Sequence, residues 1–235
     1  MINSKYKYFL ENPPGLDEFA GKLGVKHEPY WCNRYSSFSK ALRLFQESKG
    51  KTILELGTSR SFVGGHLEGC LSPQNSYWNP NNPEGWDWQA GCFTIIAAEF
   101  CRDVNPSVDF STLDISEEHL RRARLMTENI WPHINYIQSP SENFLSSYDG
   151  QIDLLYIDTG DPEPNTRALQ LREAEIIVSR NLIPKNGTIL IDDVYRPTKF
   201  RQSNYVSKAE YSIPYYLSNG FELCFCEYQS ILIKK

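Results

Sequence analysis

Four apolar runs in this chain each carry a carboxylate at or near their end: KTILELG (Lys51–Gly57), VDFSTLD (Val108–Asp114), QIDLLYID (Gln151–Asp158) and TILIDD (Thr188–Asp193). Each has the length of a buried strand rather than of a helix. A fifth run, Ile134–Ser139, and a closing pair, Phe221–Glu227 and Tyr228–Lys235, bring the count to seven. Helical patterns lie between them. Ser116–Ile130 starts with Ser116 as an N-cap and Glu117 and Glu118 at the positive end of the helix dipole. A short helix is expected near Glu142–Ser147. A long one follows over Asn165–Leu182, with Ala168, Leu171, Ala174 and Val178 on one face. Lys208–Asn219 is expected to be helical, with Pro214 kinking it or marking a restart. Strands alternating with helices imply parallel crossovers. The fold class is therefore α/β: a Rossmann-like, doubly wound sheet of seven strands, mostly parallel, with a C-terminal antiparallel strand.

Two regions fall outside this alternation. Residues 1–50 form an irregular, then helical, extension, in which Phe38, Leu42 and Phe45 recur at helical spacing. Residues 51–235 form the main domain. After Gly65 a helix should begin, but the chain runs instead through HLEGCLSPQNSYWNPNNPEGWDWQAG, and the helix is delayed to Gly91–Cys101. This insertion, at about 66–90, is rich in aromatics, unlike disordered tracts. Long loops in compact domains are usually functional or disordered. An ordered insertion over the ligand edge of the sheet is expected, with Trp78, Trp86 and Trp88 helping to cover an acceptor pocket.

Composition removes several classes. The net charge is −5, with no basic run, which speaks against a nucleic-acid or membrane-surface binder. No apolar stretch reaches the roughly 18 residues of a membrane span. The polar start, MINSKYKYFLENPPG, is unlike a secretory signal. Cys32, Cys70, Cys92, Cys101, Cys224 and Cys226 form neither a CxxC pair nor a metal-finger spacing, so free thiols in a reducing cytoplasm are expected. A homodimer is left open.

In an open α/β sheet, ligands sit beyond the carboxyl ends of the strands. Here those ends carry Glu55 with Gly57, then Asp114, Asp158, and the pair Asp192–Asp193. The dinucleotide fingerprint GxGxxG is absent, because Gly57 is followed by Thr58, Ser59 and Arg60. A ligand with a ribose and a cationic centre but no phosphate fits better. Asp114 is placed to accept both ribose hydroxyls.

These residues resemble the class I S-adenosylmethionine-dependent methyltransferases over about residues 51–235. The resemblance rests on ELGTSRS, STLDIS, YIDTGD, ILIDDV and the terminal LSNGFELCFCEYQSILIKK. It implies that Glu55, Gly57, Thr58 and Ser59 line the methionine part of S-adenosylmethionine. Asp114 would bind ribose, Ser141 and Glu142 would lie near adenine, and Asp158 would sit beside the methyl sulfonium. The delayed helix departs from the family and leaves the roles of Gly64 and Gly65 open.

YIDTGD and IDDV also resemble the metal-dependent O-methyltransferases of small molecules, of catechol and sugar type. That likeness implies a divalent ion on Asp158, Asp192 and Asp193. An all-oxygen set suits Mg²⁺, Mn²⁺ or Ca²⁺. Such an ion would lower the pKa of a substrate hydroxyl. The family often has Lys or His three residues after the first Asp. This chain has Asp161, a weaker base. His66, His119 and His133 are alternatives. The expected activity is methyl transfer to a hydroxyl of a small molecule, with metal assistance. The competing readings are a metal-independent methyltransferase acting on nitrogen or another acceptor, a non-catalytic Rossmann-like module whose insertion binds protein, and, more remotely, a nicotinamide oxidoreductase.

Overall fold

A computed structural model describes residues 2, 10–11, 33–59, 92–160, 163–194 and 207–235. Within them seven strands form a single sheet: β1 (Thr52–Leu56), β2 (Asp109–Asp114), β3 (Asn135–Gln138), β4 (Leu154–Ile157), β5 (Thr188–Ile191), β6 (Phe221–Cys226) and β7 (Ser230–Lys234). The order is β3-β2-β1-β4-β5-β7-β6. Strands β1 to β5 pair in parallel, and β7 is antiparallel to both β5 and β6. The expected doubly wound sheet with a C-terminal antiparallel strand is therefore present.

Six helices are described: α1 (Tyr35–Glu47), α2 (Phe93–Asp103), α3 (Glu117–Thr127), α4 (Ser141–Ser147), α5 (Pro164–Ser179) and α6 (Ser212–Ser218). Helix α1 buries Phe38, Leu42 and Phe45, as their spacing implied, together with Ala41 and Ser37. Its phenylalanines pack edge-on against sheet and helix rings, Phe38 on Tyr156 and Phe45 on Phe100. Helix α3 is capped by Ser116, whose hydroxyl accepts from the His119 amide. Helix α6 is shorter than expected. It starts at Ser212, which puts Pro214 in the first turn, where its missing N–H breaks no intrahelical bond.

Side chains alternate across a strand. On one face Ile53, Phe110, Leu154, Tyr156 and Leu190 pack with α1 and α2. On the other, Leu54, Leu56, Leu113, Leu155, Ile157, Ile189 and Ile191 pack with α4, α5 and α6. Continued by two residues, the same alternation puts Glu55, Thr112, Asp114, Asp158 and Asp192 on the α1/α2 face, at or just beyond the carboxyl ends of β1, β2, β4 and β5. Register reinforces this, since Glu55 is paired with Thr112 on one side and Tyr156 on the other.

Helix α5 differs from its sequence pattern. Its buried stripe is Thr166, Gln170, Glu173, Ala174 and Ile177, while Ala168, Leu171 and Val178 are only half-buried. The apolar spacing pointed to the flank of the stripe because three polar residues occupy its centre. Glu173 is fully buried and accepts from Ser141 Oγ and from Thr159 Oγ1. Burial raises its carboxyl to about 7, against the opposing pull of these two donors. An acid raised in the folded state loses its proton more readily in the unfolded chain. Folded stability should therefore fall as pH rises from about 4.5 to about 7. Glu173→Gln is expected to flatten that slope and to gain on the order of 2 kcal/mol at pH 8 relative to pH 4. Urea denaturation of both proteins at the two pH values checks this, and parallel pH profiles would refute it.

Among the described residues no helix is long and apolar enough to cross a membrane. Cys92 and Cys101 are buried, and Cys224 and Cys226 are half-buried. Cys32 and Cys70 lie outside the described residues.

Candidate active site

The turn after β1 is built around two close approaches. Gly57 has φ of +88°, and a Cβ there would lie 2.5 Å from the Asp158 carbonyl oxygen. Glycine is thus required by the close approach of the chain just after the β1 and β4 ends, whatever ligand lies beyond them. Thr58 and Ser59 follow, both buried. Ser59 and Thr94 are tied reciprocally: the Ser59 amide donates to Thr94 Oγ1 at 3.0 Å, and the Thr94 amide donates to Ser59 Oγ at 3.2 Å. Cys92, the residue before α2, is in the left-handed region and makes no side-chain cap. Ser59 therefore satisfies an amide of the first turn of α2 from 35 positions away.

Glu55 is fully buried. Thr94 Oγ1 and Thr112 Oγ1 each donate to its Oε2 at 2.7 Å. Its Oε1 has no hydrogen-bond partner among the described residues. Burial raises the carboxyl to about 8, opposed by the two threonine donors and reinforced by Asp158 and Asp114.

Asp114 closes β2. Its Oδ1 accepts from the Ser116 amide at 2.8 Å and lies 3.2 Å from His119 Nδ1. His119 thus faces the Asp114 carboxylate rather than open solvent. The next residue, Ile115, is 72% exposed. Ser141 and Glu142 begin α4, but their polar atoms turn toward α5. Ser141 Oγ bonds Glu173, and Glu142 Oε1 pairs with Arg172 at 2.6 Å. His133 precedes β3, at the amino-terminal edge of the sheet, and its ring meets Trp131 edge-on. It is not at the carboxyl-end edge. Asp161, His66, Trp78, Trp86 and Trp88 lie outside the described residues.

Asp158, Asp192 and Asp193 do converge, each offering an oxygen within 4.8 Å of the others. Two cations the sequence did not point to are already among them. The Arg34 guanidinium grips Asp192 with both prongs, Nε to Oδ1 at 3.1 Å and Nη2 to Oδ2 at 2.9 Å. The Lys208 ammonium bridges the other two, 2.7 Å from Asp158 Oδ1 and 2.8 Å from Asp193 Oδ2. Gln229 Nε2 adds a bond to Asp192 Oδ1 at 2.7 Å, and the Tyr228 hydroxyl donates to Asp193 Oδ1. The Arg34 guanidinium also lies over the Tyr228 ring at 4.6 Å. Three carboxylates against two cations leave one net negative charge.

Burial raises the Asp158 carboxyl to about 7, with Lys208 pulling it down and Asp192 and Asp193 pushing it up. Burial alone would lower the Lys208 ammonium, but the surrounding carboxylates outweigh that and hold it well above the ordinary lysine value. The donor chemistry of the triad suits a hard divalent ion. Its geometry does not, because Lys208 and Arg34 already occupy an oxygen of each of the three carboxylates.

Arg34 is 4% exposed, and the Asp192 it neutralises is 1% exposed. Removing one partner of such a pair strands the other charge. Arg34→Met should therefore cost about 3–5 kcal/mol of stability, and lower Tm by about 10 °C. A thermal melt within a degree or two of the parent would refute this account. At the β2 end, Asp114→Asn should weaken binding of a ribose-bearing ligand by about tenfold or more, the worth of one charge-assisted bond, with little change in Tm. Titration calorimetry with S-adenosylhomocysteine is the measurement.

No protein-family model matches the chain, and no curated protein matches it. Solved structures do. The S-adenosylhomocysteine-bound methyltransferase PaMTH1 of Podospora anserina superposes with a TM-score of 0.52 at 15% identity, covering 95% of this chain and 88% of that one. A putative caffeoyl-CoA O-methyltransferase of Staphylococcus aureus gives 0.51 at 17% identity, covering 94% and 90%. An O-methyltransferase of Bacillus cereus, in complex with S-adenosylhomocysteine, gives 0.51 at 13% identity, covering 94% and 97%. Sheet order, terminal hairpin and these superpositions agree that the chain has the Rossmann-like fold of the class I S-adenosylmethionine-dependent methyltransferases.

Proposed function

We propose that the chain transfers a methyl group from S-adenosylmethionine to a hydroxyl of a small molecule. The observation that carries this reading is the gathering of Glu55, Asp114 and Asp158 along one edge of the sheet, at neighbouring strand ends. The chemistry of these groups suits the ligand's parts. Asp114 is an acceptor for ribose hydroxyls, and the exposed Ile115 beside it offers an apolar surface for a planar base. The unpartnered Glu55 Oε1 is an acceptor for the ammonium of the methionine part. Asp158, side chain 25% exposed, is the carboxylate left to meet the sulfonium side and the acceptor hydroxyl. In-line displacement at the methyl carbon then needs chiefly alignment of the acceptor oxygen, which positioning supplies. Oxygen rather than nitrogen is favoured as acceptor because several solved structures of this fold are named O-methyltransferases.

Titration calorimetry should give one S-adenosylmethionine or S-adenosylhomocysteine bound per chain. Labelled S-adenosylmethionine presented with catechols and sugars should pass its methyl to one of these classes. Asp158→Asn should reduce turnover at least about tenfold while changing cofactor affinity less. No detectable cofactor binding would overturn the reading in favour of a non-catalytic module. A metal-assisted version of the same reaction is supported by the convergence of three carboxylates, but it requires Lys208 to leave them. Assays with and without chelator separate the two versions.

A further inference from the structure

We propose that Lys208 is the resident cation of the strand-end carboxylate cluster, so that the chain itself supplies the charge the cluster demands and needs no divalent metal there. This rests on the reading of the site as a methyl-transfer site only for its catalytic consequence; the cation assignment stands on geometry.

The Lys208 ammonium contacts one oxygen of Asp158 and one of Asp193 at 2.7 and 2.8 Å, with its side chain 3% exposed. Asp192 is occupied separately, both oxygens by Arg34 and one also by Gln229. A Mg²⁺ or Mn²⁺ ion would need carboxylate oxygens at about 2.0–2.6 Å. Lys208 already takes one oxygen of Asp158 and one of Asp193, so an ion drawing on the same carboxylates would sit beside the ammonium. Both cations cannot use them, because an ion at that point would meet a like charge at near-contact distance in a poorly solvated site. Nor is Lys208 a surface side chain that has folded inward. Its neighbour Ala209 is 1% exposed, the Ala209 amide is bonded to Ser207 Oγ, and the Ala209 carbonyl accepts from the Ile213 amide at the start of α6. The backbone on the C-terminal side of Lys208 is thus fixed by the core, and the ammonium is delivered to the cluster by that anchoring.

Lys208 acts here as a positioning residue. Its charge lets Asp158 and Asp193 stand side by side, and its two bonds fix which oxygens they present. An ammonium also differs from a metal in what it can do. It has no open coordination position, so it orients the carboxylates without binding the acceptor oxygen as a ligand.

The test is Mn²⁺ binding to the full chain, read by electron paramagnetic resonance and by calorimetry, without any substrate. The parent protein should bind Mn²⁺ no more tightly than about 1 mM. Lys208→Met, which removes the charge and keeps the volume, should bind one Mn²⁺ at least about tenfold more tightly. Lys208→Arg, which keeps the charge, should exclude the ion as the parent does. Tight stoichiometric binding by the parent, or failure of a folded Lys208→Met protein to gain an ion, overturns the proposal. If Lys208→Met does not fold, the parent titration decides alone. In activity assays the parent should keep full turnover in a chelating buffer, and loss of turnover there overturns the proposal. Calorimetry with S-adenosylhomocysteine reports separately on the methyltransferase reading, so its failure would leave the cation assignment intact.

Discussion

Carboxylates placed side by side at the ends of adjacent parallel strands must be neutralised, and this requirement organises the functional edge of the molecule. The pleat puts Asp158 and Asp192 on the same face, and Asp193 follows at once. Left alone, such a group would repel itself and resist burial. The compensating charges cannot come from the strands, whose remaining positions are spent on the core. They come from outside the sheet: Arg34, just before α1, and Lys208, just before α6. The segment before β1 and the segment leading into the last helix are thus held to the same cluster, across sequence separations of 158 and 50 residues. Packing of α1 through Phe38, Ala41, Leu42 and Phe45 then serves electrostatics as well as burial, since it fixes where the Arg34 guanidinium can reach.

A second constraint is the way polar groups are buried around the first. Glu55 and Glu173 lie on opposite faces of the sheet, and each is held by a pair of hydroxyl donors rather than by a cation. Two hydroxyl bonds offset only part of the desolvation cost, which is why both carboxyls sit far above their ordinary values. Near neutral pH these sites hold protons easily. They tolerate low-dielectric surroundings that a permanently charged carboxylate would resist.

Much of this architecture was legible in the residue pattern. Short apolar runs ending in acids announced the strands, and the acids announced the edge where ligands collect. The helices were legible wherever an apolar stripe was intact, as in α1, and harder where it was not. In α5, Thr166, Gln170 and Glu173 occupy the buried centre, so apolar spacing alone selected the neighbouring face. The cations of the carboxylate cluster were invisible for a different reason. An isolated Arg34 or Lys208 carries no local signature, and only the tertiary path reveals that each ends among aspartates. Thr94 and Thr112 were equally silent, because a threonine that holds a buried acid looks in sequence like any strand or helix threonine. Ser141 and Glu142 carried a family resemblance, yet their side chains are engaged with α5 through Glu173 and Arg172.

The paired hydrogen bonds between Ser59 and Thr94 have a consequence for how this chain tolerates change. They close the two ends of a long excursion onto each other with one residue from each side, and they cap α2 in the same act. For a flexible segment, the entropy of closing such a loop grows only logarithmically with its length. Once the clasp exists, residues can be added or removed between its two halves at small cost to the sheet. Both halves of the clasp lie at the edge where Glu55 is held, since Thr94 also donates to its carboxylate. A fold with such a clasp can acquire a new recognition surface by exchanging one stretch of sequence while its strands, its caps and its charge balance stay as they are.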